Sequence, residues 1–87
     1  MTMASSATVA GVTSVLVEIL GIADRAHTIN ASTELLGSLP ELDSLAVVEL
    51  VAALEARFGV QISDDEITGE VFETVGSLAE LIDKKLA

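Results

Sequence analysis

Aliphatic residues recur at the spacing of an α-helix in three segments of this chain, and no useful length of sequence alternates as a β-strand does. In the first segment, apolar residues starting at Val12 fall at i, i+3, i+4, i+7 and i+8, which predicts a helix over residues 8–20. Thr8 is the expected cap at its start and Gly21 at its end. The pattern therefore predicts an all-α fold.

Two further long helices are predicted downstream. One covers residues 44–58 and ends at Gly59, and the other covers 75–86, with Thr74 as its cap. A short helix is expected over 70–73. The apolar stripes of the two long helices predict the core-facing residues Val47, Leu50, Val51, Leu54, Phe58, Leu78, Leu81, Ile82 and Leu86.

The connection between the first two long helices, residues 22–43, has no apolar period and contains Gly37 and Pro40. About twenty residues without regular structure is long for a small domain, so the connection needs apolar anchors of its own. The candidates are Leu35, Leu36, Leu39 and Leu42. The predicted architecture is a small four-helix bundle with three longer helices, one short helix and a long first loop. Residues 1–7 are expected to form a flexible leader and 8–87 the folded domain.

Charge and composition exclude several classes of function. The 87 residues hold 14 acidic and 4 basic side chains, for a net charge of -10, so the chain lacks the basic surface that binds nucleic acid or an anionic membrane. It has no cysteine, and its longest apolar run, residues 50–54, is far shorter than the ~20 residues that span a bilayer. Without a signal peptide pattern, we expect a cytoplasmic monomer that is not inserted in a membrane.

The second long helix carries more apolar surface than one buried face requires. The arc opposite its core face holds both apolar side chains and glutamates, namely Leu45, Val48, Glu49, Ala52, Glu55 and Ala56. An apolar strip edged by carboxylates is typical of a docking surface for a partner with a basic rim. The alternative is that Leu45 packs under the long connection and that Val48 is an ordinary scattered surface residue.

Asp43 and Ser44 stand at the start of this helix. Asp43 is the expected N-cap, and Ser44 would occupy the first helical position with its hydroxyl pointing outward. A helix N-terminus favours a negative group, so a phosphate ester on Ser44 would be tolerated there, although Asp43 opposes it. The simpler interpretation is that both residues only cap the helix. Because no base accompanies Ser44, and His27 lies in the connection, Ser44 fits the substrate of another enzyme better than a nucleophile.

The stretch Leu42-Asp43-Ser44-Leu45 and the residues after it resemble the acyl carrier protein family. The resemblance continues through Val48-Glu49-Leu50-Val51, Leu54-Glu55, Phe58-Gly59, Ile62 and Thr74-Val75. It implies a discrete carrier, not an enzyme, in which Ser44 holds a 4′-phosphopantetheine arm donated by coenzyme A through a phosphopantetheinyl transferase. The arm would hold acyl intermediates as thioesters and deliver them to partner enzymes.

The resemblance also implies roles for the residues around Ser44. Asp43 would help the transferase position its metal-bound donor. Leu45, Val48, Glu49, Ala52 and Glu55 would form the face that binds acyl-transferring or synthase enzymes with basic docking patches.

The sequence departs from the family pattern at several of these positions. Glu41 stands where many carriers have glycine, Ala46 and Ala56 where an acid is common, and Ala52 where a bulky apolar residue is common. A less charged, flatter face suggests a dedicated partner in a specialised fatty-acid, polyketide or related pathway. The competing hypothesis is an unmodified acidic helical adaptor that binds a protein through the Leu45/Val48 face.

Asp64, Asp65 and Glu66, with Glu70 nearby, form the densest acidic segment. The segment does not match an EF-hand, which needs alternating ligands and a glycine at the sixth position. We therefore predict a solvated acidic turn, with weak binding of a hard cation as the alternative.

Overall fold

The computed structural model describes residues 5–35 and 42–86. Within them, regular pairing of extended chain is limited to one isolated bridge between Glu34 and Thr74. The predicted all-α bundle with a long first connection is confirmed, but the connection was wrongly predicted to lack regular structure, since it begins with a 3₁₀ helix. Its elements are the long helices α1 (Ser6–Leu20), α2 (Ser44–Phe58) and α3 (Val75–Leu86), and the 3₁₀ helices Ala23–Thr28 and Asp64–Glu66.

The start of α1 lies earlier than predicted. The helix begins at Ser6 because the Ser5 side chain is the N-cap and accepts a hydrogen bond from the Thr8 N–H at 3.2 Å. Thr8 is therefore inside the helix and buried, so its prediction as the cap was wrong. Its hydroxyl donates instead to Asp83 on α3, which ties the first turn of α1 to the last turns of α3. Residues 1–4 of the expected leader lie outside the described part.

The core lies where α1 meets α2 and α3, and it is almost wholly aliphatic. Leu35 and Leu42 anchor the long connection in it as expected, while Leu36 and Leu39 lie outside the described residues. Leu86 was wrongly predicted to face inward: it is 51% exposed, because the apolar stripe of α3 reaches the last helical residue, where the core ends. Fully buried side chains include Val12, Leu16, Leu35, Leu50, Leu54, Phe72, Val75, Leu78 and Ile82.

The helix ends follow the predicted capping residues. Gly21 and Gly59 end α1 and α2 in the left-handed conformation, with φ of 66° and 67°, which favours glycine. At the start of α3, the Thr74 hydroxyl accepts the Ser77 N–H and the Ser77 hydroxyl accepts the Thr74 N–H, each at 3.0 Å. The three predicted boundaries are therefore confirmed.

The long connection is fastened to the beginning of α3. Two main-chain carbonyls of the connection accept hydrogen bonds from N–H groups in the first turn of α3. N–H groups in the first turn of a helix have no partner inside the helix. The connection therefore depends on α3 for its position as well as on its leucine anchors. The three backbone hydrogen bonds are Leu35 N–H to Glu73 O at 2.9 Å, Val75 N–H to Thr33 O at 2.9 Å and Gly76 N–H to Ala31 O at 2.8 Å.

The short helix expected over 70–73 is absent, and hydrogen-bonded turns take its place. The Thr68 hydroxyl accepts the Val71 N–H at 3.2 Å, and the Phe72 N–H donates to the Thr68 carbonyl at 3.1 Å. Thr74 then starts α3, so the segment is too short to propagate a helix beyond one turn. The short helical element of this region lies earlier, at Asp64–Glu66.

Glu66 links that 3₁₀ helix to the end of α3. It forms a salt bridge of 2.8 Å with Lys85 and accepts hydrogen bonds from the backbone and hydroxyl of Ser63. These contacts, led by the one from Lys85, lower the pKa of Glu66 from 4.5 to about 2.

This lowered pKa predicts an acid-dependent loss of stability. Because the pKa of Glu66 is lower in the folded chain than its ordinary value, the ionised Glu66 carboxylate stabilises the fold fully above pH 4.5. This contribution to the free energy of unfolding is lost as the pH falls toward about 2. Urea midpoints of the original chain and of Glu66→Gln should therefore differ at pH 7, approach each other below pH 4.5 and converge only as the pH reaches about 2. A difference that is the same at all pH values would contradict the assignment.

Candidate functional site

Asp43 is the N-cap of α2, as predicted. Its backbone is extended, with φ of -98° and ψ of -177°, and its Oδ1 accepts the Ala46 N–H at 2.8 Å. The Asp43 carbonyl also accepts the Val47 N–H at 2.9 Å. Asp43 therefore fixes where α2 begins and makes Ser44 its first residue.

Ser44 is exposed at this helix start, and its hydroxyl has no hydrogen bond to another residue in the described part of the chain. Because Asp43 performs the capping, the Ser44 oxygen is not needed to satisfy the helix. The dipole and unpaired N–H groups of a helix start favour a negative group at this position, although the adjacent Asp43 carboxylate opposes one.

Among the described residues, no base is hydrogen-bonded to the Ser44 hydroxyl. His27 lies exposed in the 3₁₀ helix Ala23–Thr28 and is not hydrogen-bonded to Ser44. A serine that acts as a nucleophile is normally activated by a base within hydrogen-bond reach. The arrangement presents Ser44 as an acceptor of a group rather than as an attacking residue of this protein.

The outer face of α2 is open beside Ser44. Leu45 is 68% exposed and Val48 is 64% exposed, so the alternative in which Leu45 packs under the long connection was wrong. Glu49 and Ala52 are exposed on the same face. These residues form an apolar strip with a carboxylate at its edge, which begins directly after Ser44.

Two residues of α2 differ from their expected placement. Glu55 is half-buried, and its Oε2 accepts the Ile62 N–H at 2.7 Å, so one carboxylate oxygen holds the segment that follows α2. Ala46, considered for the outer face because carriers often have an acid there, is buried: it lies 100° around the helix from Leu45 and faces the core. The absence of an acid at Ala46 therefore leaves the outer face unchanged.

The sequence analysis missed an open cleft between α1 and α2. It is lined by Val15, Glu18, Ile19, Ala53, Ala56 and Arg57, and has a volume of about 340 Å³. The available signal was the pair of small residues Ala53 and Ala56, three positions apart on one side of α2, next to the cation Arg57. Such a pair leaves space only if the facing helix presents no larger side chain there, which spacing alone does not tell.

The acidic segment after α2 lies on the surface. Asp64 and Asp65 are exposed, and Glu66 is paired with Lys85. Across residues 5–35 and 42–86, no group of three or more histidine or acidic side chains is placed to hold a metal ion. No helix in the same ranges has both the length and the apolar character needed to cross a membrane.

This chain is similar to known proteins in both sequence and fold. The model of the family described as "Phosphopantetheine attachment site" matches residues 10–82, which include all of α2. The solution NMR structure of a holo acyl carrier protein from Nitrosomonas europaea is similar to this chain, with 45% sequence identity and a TM-score of 0.85. The match covers 94% of this chain and 98% of the other.

Proposed function

Because this chain belongs to the acyl carrier protein family, which consists of carriers with a 4′-phosphopantetheine group and not of enzymes, we propose that Ser44 is the residue that bears this group. The observation that supports the assignment is the Ser44 hydroxyl, exposed at the start of α2 and released from capping by Asp43. The group supplies a terminal thiol that holds an acyl chain as a thioester. The chain itself has no cysteine, so every thiol of the carrier comes from this group.

Asp43 has a second role in this proposal. One carboxylate oxygen accepts the Ala46 N–H, and the exposed side chain leaves the other for the transferase and its metal-bound coenzyme A.

We further propose that the protein is a monomer and that it lies in the cytoplasm, where a phosphopantetheinyl transferase attaches the group.

The outer face of α2 serves as the docking surface for partner enzymes. Leu45, Val48 and Ala52 provide the apolar strip, and Glu49 attracts a basic docking patch. Only one carboxylate oxygen of Glu55 is available to a partner enzyme, because Oε2 accepts the Ile62 N–H. With alanine at 52 and 56 the face is flat, which favours acyl-transferring or synthase enzymes of a specialised fatty-acid, polyketide or related pathway.

The attachment residue can be tested by mass spectrometry. The intact chain, incubated with coenzyme A and a broad-specificity phosphopantetheinyl transferase, should gain the mass of one phosphopantetheinyl group, and Ser44→Ala should gain none. Ser63→Ala is the matched control, because Ser63 is also an exposed serine at the start of a helical turn. It should be modified like the original chain. No gain in the intact chain, or a gain that persists in Ser44→Ala, would overturn the proposal.

The exposure of Leu45 and Val48 also suits the second candidate, an unmodified adaptor that binds a protein through the same face. The adaptor requires that partner binding be unaffected by Ser44→Ala and that the intact chain remain unmodified by the transferase. The mass measurement therefore separates the two functions.

The capping assignment gives a stability prediction at the same site. Asp43→Ala removes the acceptor of the Ala46 N–H and should lower the free energy of unfolding by about 1 kcal/mol. Ser44→Ala removes no described hydrogen bond and should change it by less than about 0.5 kcal/mol. Urea unfolding measures both, and equal losses in the two variants would show that Ser44 shares the capping role.

A further inference from the structure

Glu55 joins the end of α2 to the segment that follows the helix. Its backbone carbonyl accepts the N–H groups of Gly59 at 2.9 Å and of Val60 at 3.3 Å, which closes the last turn. Its side chain adds a third hydrogen bond, in which Oε2 accepts the Ile62 N–H at 2.7 Å. The first two contacts belong to the backbone and remain when the side chain is changed. The third requires an acceptor at the end of a side chain of this length.

The segment held in this way adds exposed groups beside the outer face of α2. Ile62 is buried in the core, while its neighbours Gln61 and Ser63 are exposed. All three line one open pocket of about 440 Å³ together with Glu55, Glu66 and Lys85. The surface at this end of α2 is therefore formed by separate parts of the chain, and the Glu55 hydrogen bond links two of them.

An enzyme that docks on α2 to reach Ser44 also covers this end of the helix. Glu55 lies eleven residues after Ser44, about 16 Å along the helix axis. A stable interface buries roughly 800 Å² on each partner, which corresponds to a patch about 30 Å across. The docked enzyme therefore meets Glu55 and the residues that lie beside it.

We propose that Glu55 is a positioning residue of the docking surface, which acts on partner enzymes through Ile62 rather than through its own charge. By holding the Ile62 N–H, Glu55 fixes where Gln61 and Ser63 lie beside the outer face of α2. A segment that is already in place does not have to be ordered when an enzyme docks, which favours binding. The identification of the partners as enzymes that use the carrier rests on the function proposed above.

Three substitutions separate the hydrogen bond from the charge. Glu55→Gln removes the charge but keeps an acceptor of the same reach, Glu55→Asp keeps the charge on a side chain one methylene group shorter, and Glu55→Ala removes both. The KM and kcat of the phosphopantetheinyl transferase are measured with each full chain in about 0.1 M and about 0.5 M NaCl. The attraction between exposed charges is largely screened at the higher concentration, because the Debye length falls well below its value of ~10 Å at 0.1 M.

The KM values distinguish positioning from charge. Glu55→Ala and Glu55→Asp should raise KM about three- to tenfold at both salt concentrations, as expected for the loss of one hydrogen bond that orders the segment. The kcat should be unchanged, because Ser44 lies at the other end of α2. At high salt, Glu55→Gln should stay within about twofold of the original chain. If Glu55→Gln and Glu55→Ala then have equal KM values, or if Glu55→Asp has the KM of the original chain, the proposal is overturned.

Amide hydrogen exchange checks the hydrogen bond itself. Exchange at Ile62 should accelerate in Glu55→Ala and Glu55→Asp and remain slow in Glu55→Gln. Glu49→Ala is the matched control for charge, because Glu49 is exposed on the same face and has no hydrogen bond to another described residue. It should raise KM about two- to fivefold at low salt only and leave exchange at Ile62 unchanged.

A second control separates positioning from overall stability. Thr8→Val removes the hydroxyl that joins α1 to Asp83 on α3, so it weakens the fold without changing α2 and should leave KM unchanged. A rise in KM equal to that of Glu55→Ala would show that Glu55 acts only through stability, and would overturn the proposal.

The failure of this proposal can be distinguished from the failure of the carrier function. If the transferase leaves the original chain unmodified, the carrier function falls and the proposed role of Glu55 falls with it. If the original chain gains the phosphopantetheinyl mass at Ser44 but the Glu55 variants do not show the expected pattern, only the role of Glu55 is overturned.

Discussion

Phe72→Ala is expected to lower the free energy of unfolding by about 3–5 kcal/mol, since Phe72 is the largest fully buried side chain in the described core, at 1% exposure. The other buried side chains of the core cluster are aliphatic, and a core of such residues relaxes only partly around a cavity. A domain of this size has a total stability of about 5–15 kcal/mol. The loss should therefore lower the thermal midpoint by more than about 10 °C.

Phe58→Ala provides the matched comparison for Phe72→Ala. Phe58 is only partly buried, and its ring lies against Gly11 on α1, where a Cβ atom would come within 2.7 Å of it. The same deletion there should cost less than at Phe72, and Phe72→Leu should cost less than about 1.5 kcal/mol because most of the volume remains. Equal losses in Phe58→Ala and Phe72→Ala would show that Phe72 is not the centre of the core.

The helices and their ends were predictable because local chemistry determines them. Gly21, Asp43, Gly59 and Thr74 cap their helices through contacts with residues a few positions away, so the sequence contains both partners. The helical period of α2 likewise placed Leu45 and Val48 opposite the core face, but it left open whether Leu45 packs under the long connection, and the fold shows that both are exposed.

The features that sequence reasoning missed depend on contacts between distant residues. Thr8 has the chemistry of a cap, but Asp83, 75 residues away, takes its hydroxyl and Ser5 caps the helix instead. Glu55 has the period of a surface residue, but the backbone of Ile62 folds back to it. In both cases the side chain can form the hydrogen bond that its type suggests, but the tertiary fold determines which residue is its partner.

The same limit applies to the candidate site. The placement of Asp43 as the N-cap and of Ser44 as the first helical residue could be predicted from sequence because one follows the other at a helix start. The cleft beside Arg57 exists only because α1 brings Val15 and Ile19 next to Ala53 and Ala56. The helical period of α2 does not specify which residues of another helix lie opposite it, so a cleft formed by two helices can be identified only from the fold.

Gly76→Ala is expected to destabilise the protein by about 2 kcal/mol, although alanine is the better helix former by about 1 kcal/mol. A Cβ atom at Gly76 would lie 2.9 Å from the carbonyl oxygen of Ala31, and the Gly76 N–H already donates to that oxygen at 2.8 Å. Because the obstructing atom is backbone, the connection must move away from α3. Overpacking costs about 1–3 kcal/mol and a lost hydrogen bond about 0.5–1.5 kcal/mol, which together exceed the gain in helix propensity.

Gly69→Ala is the control for this substitution, because a Cβ atom there meets nothing within 4 Å, and its stability should stay within about 0.5 kcal/mol of the original chain. Amide hydrogen exchange adds a local readout. In Gly76→Ala, exchange should accelerate at Leu35 and Val75, whose N–H groups join the connection to α3, before it accelerates at Leu50 in the middle of α2. Uniform acceleration would mean that the substitution weakens the whole fold. Selective acceleration would show that the connection leading to Ser44 is held in place by its contact with the start of α3.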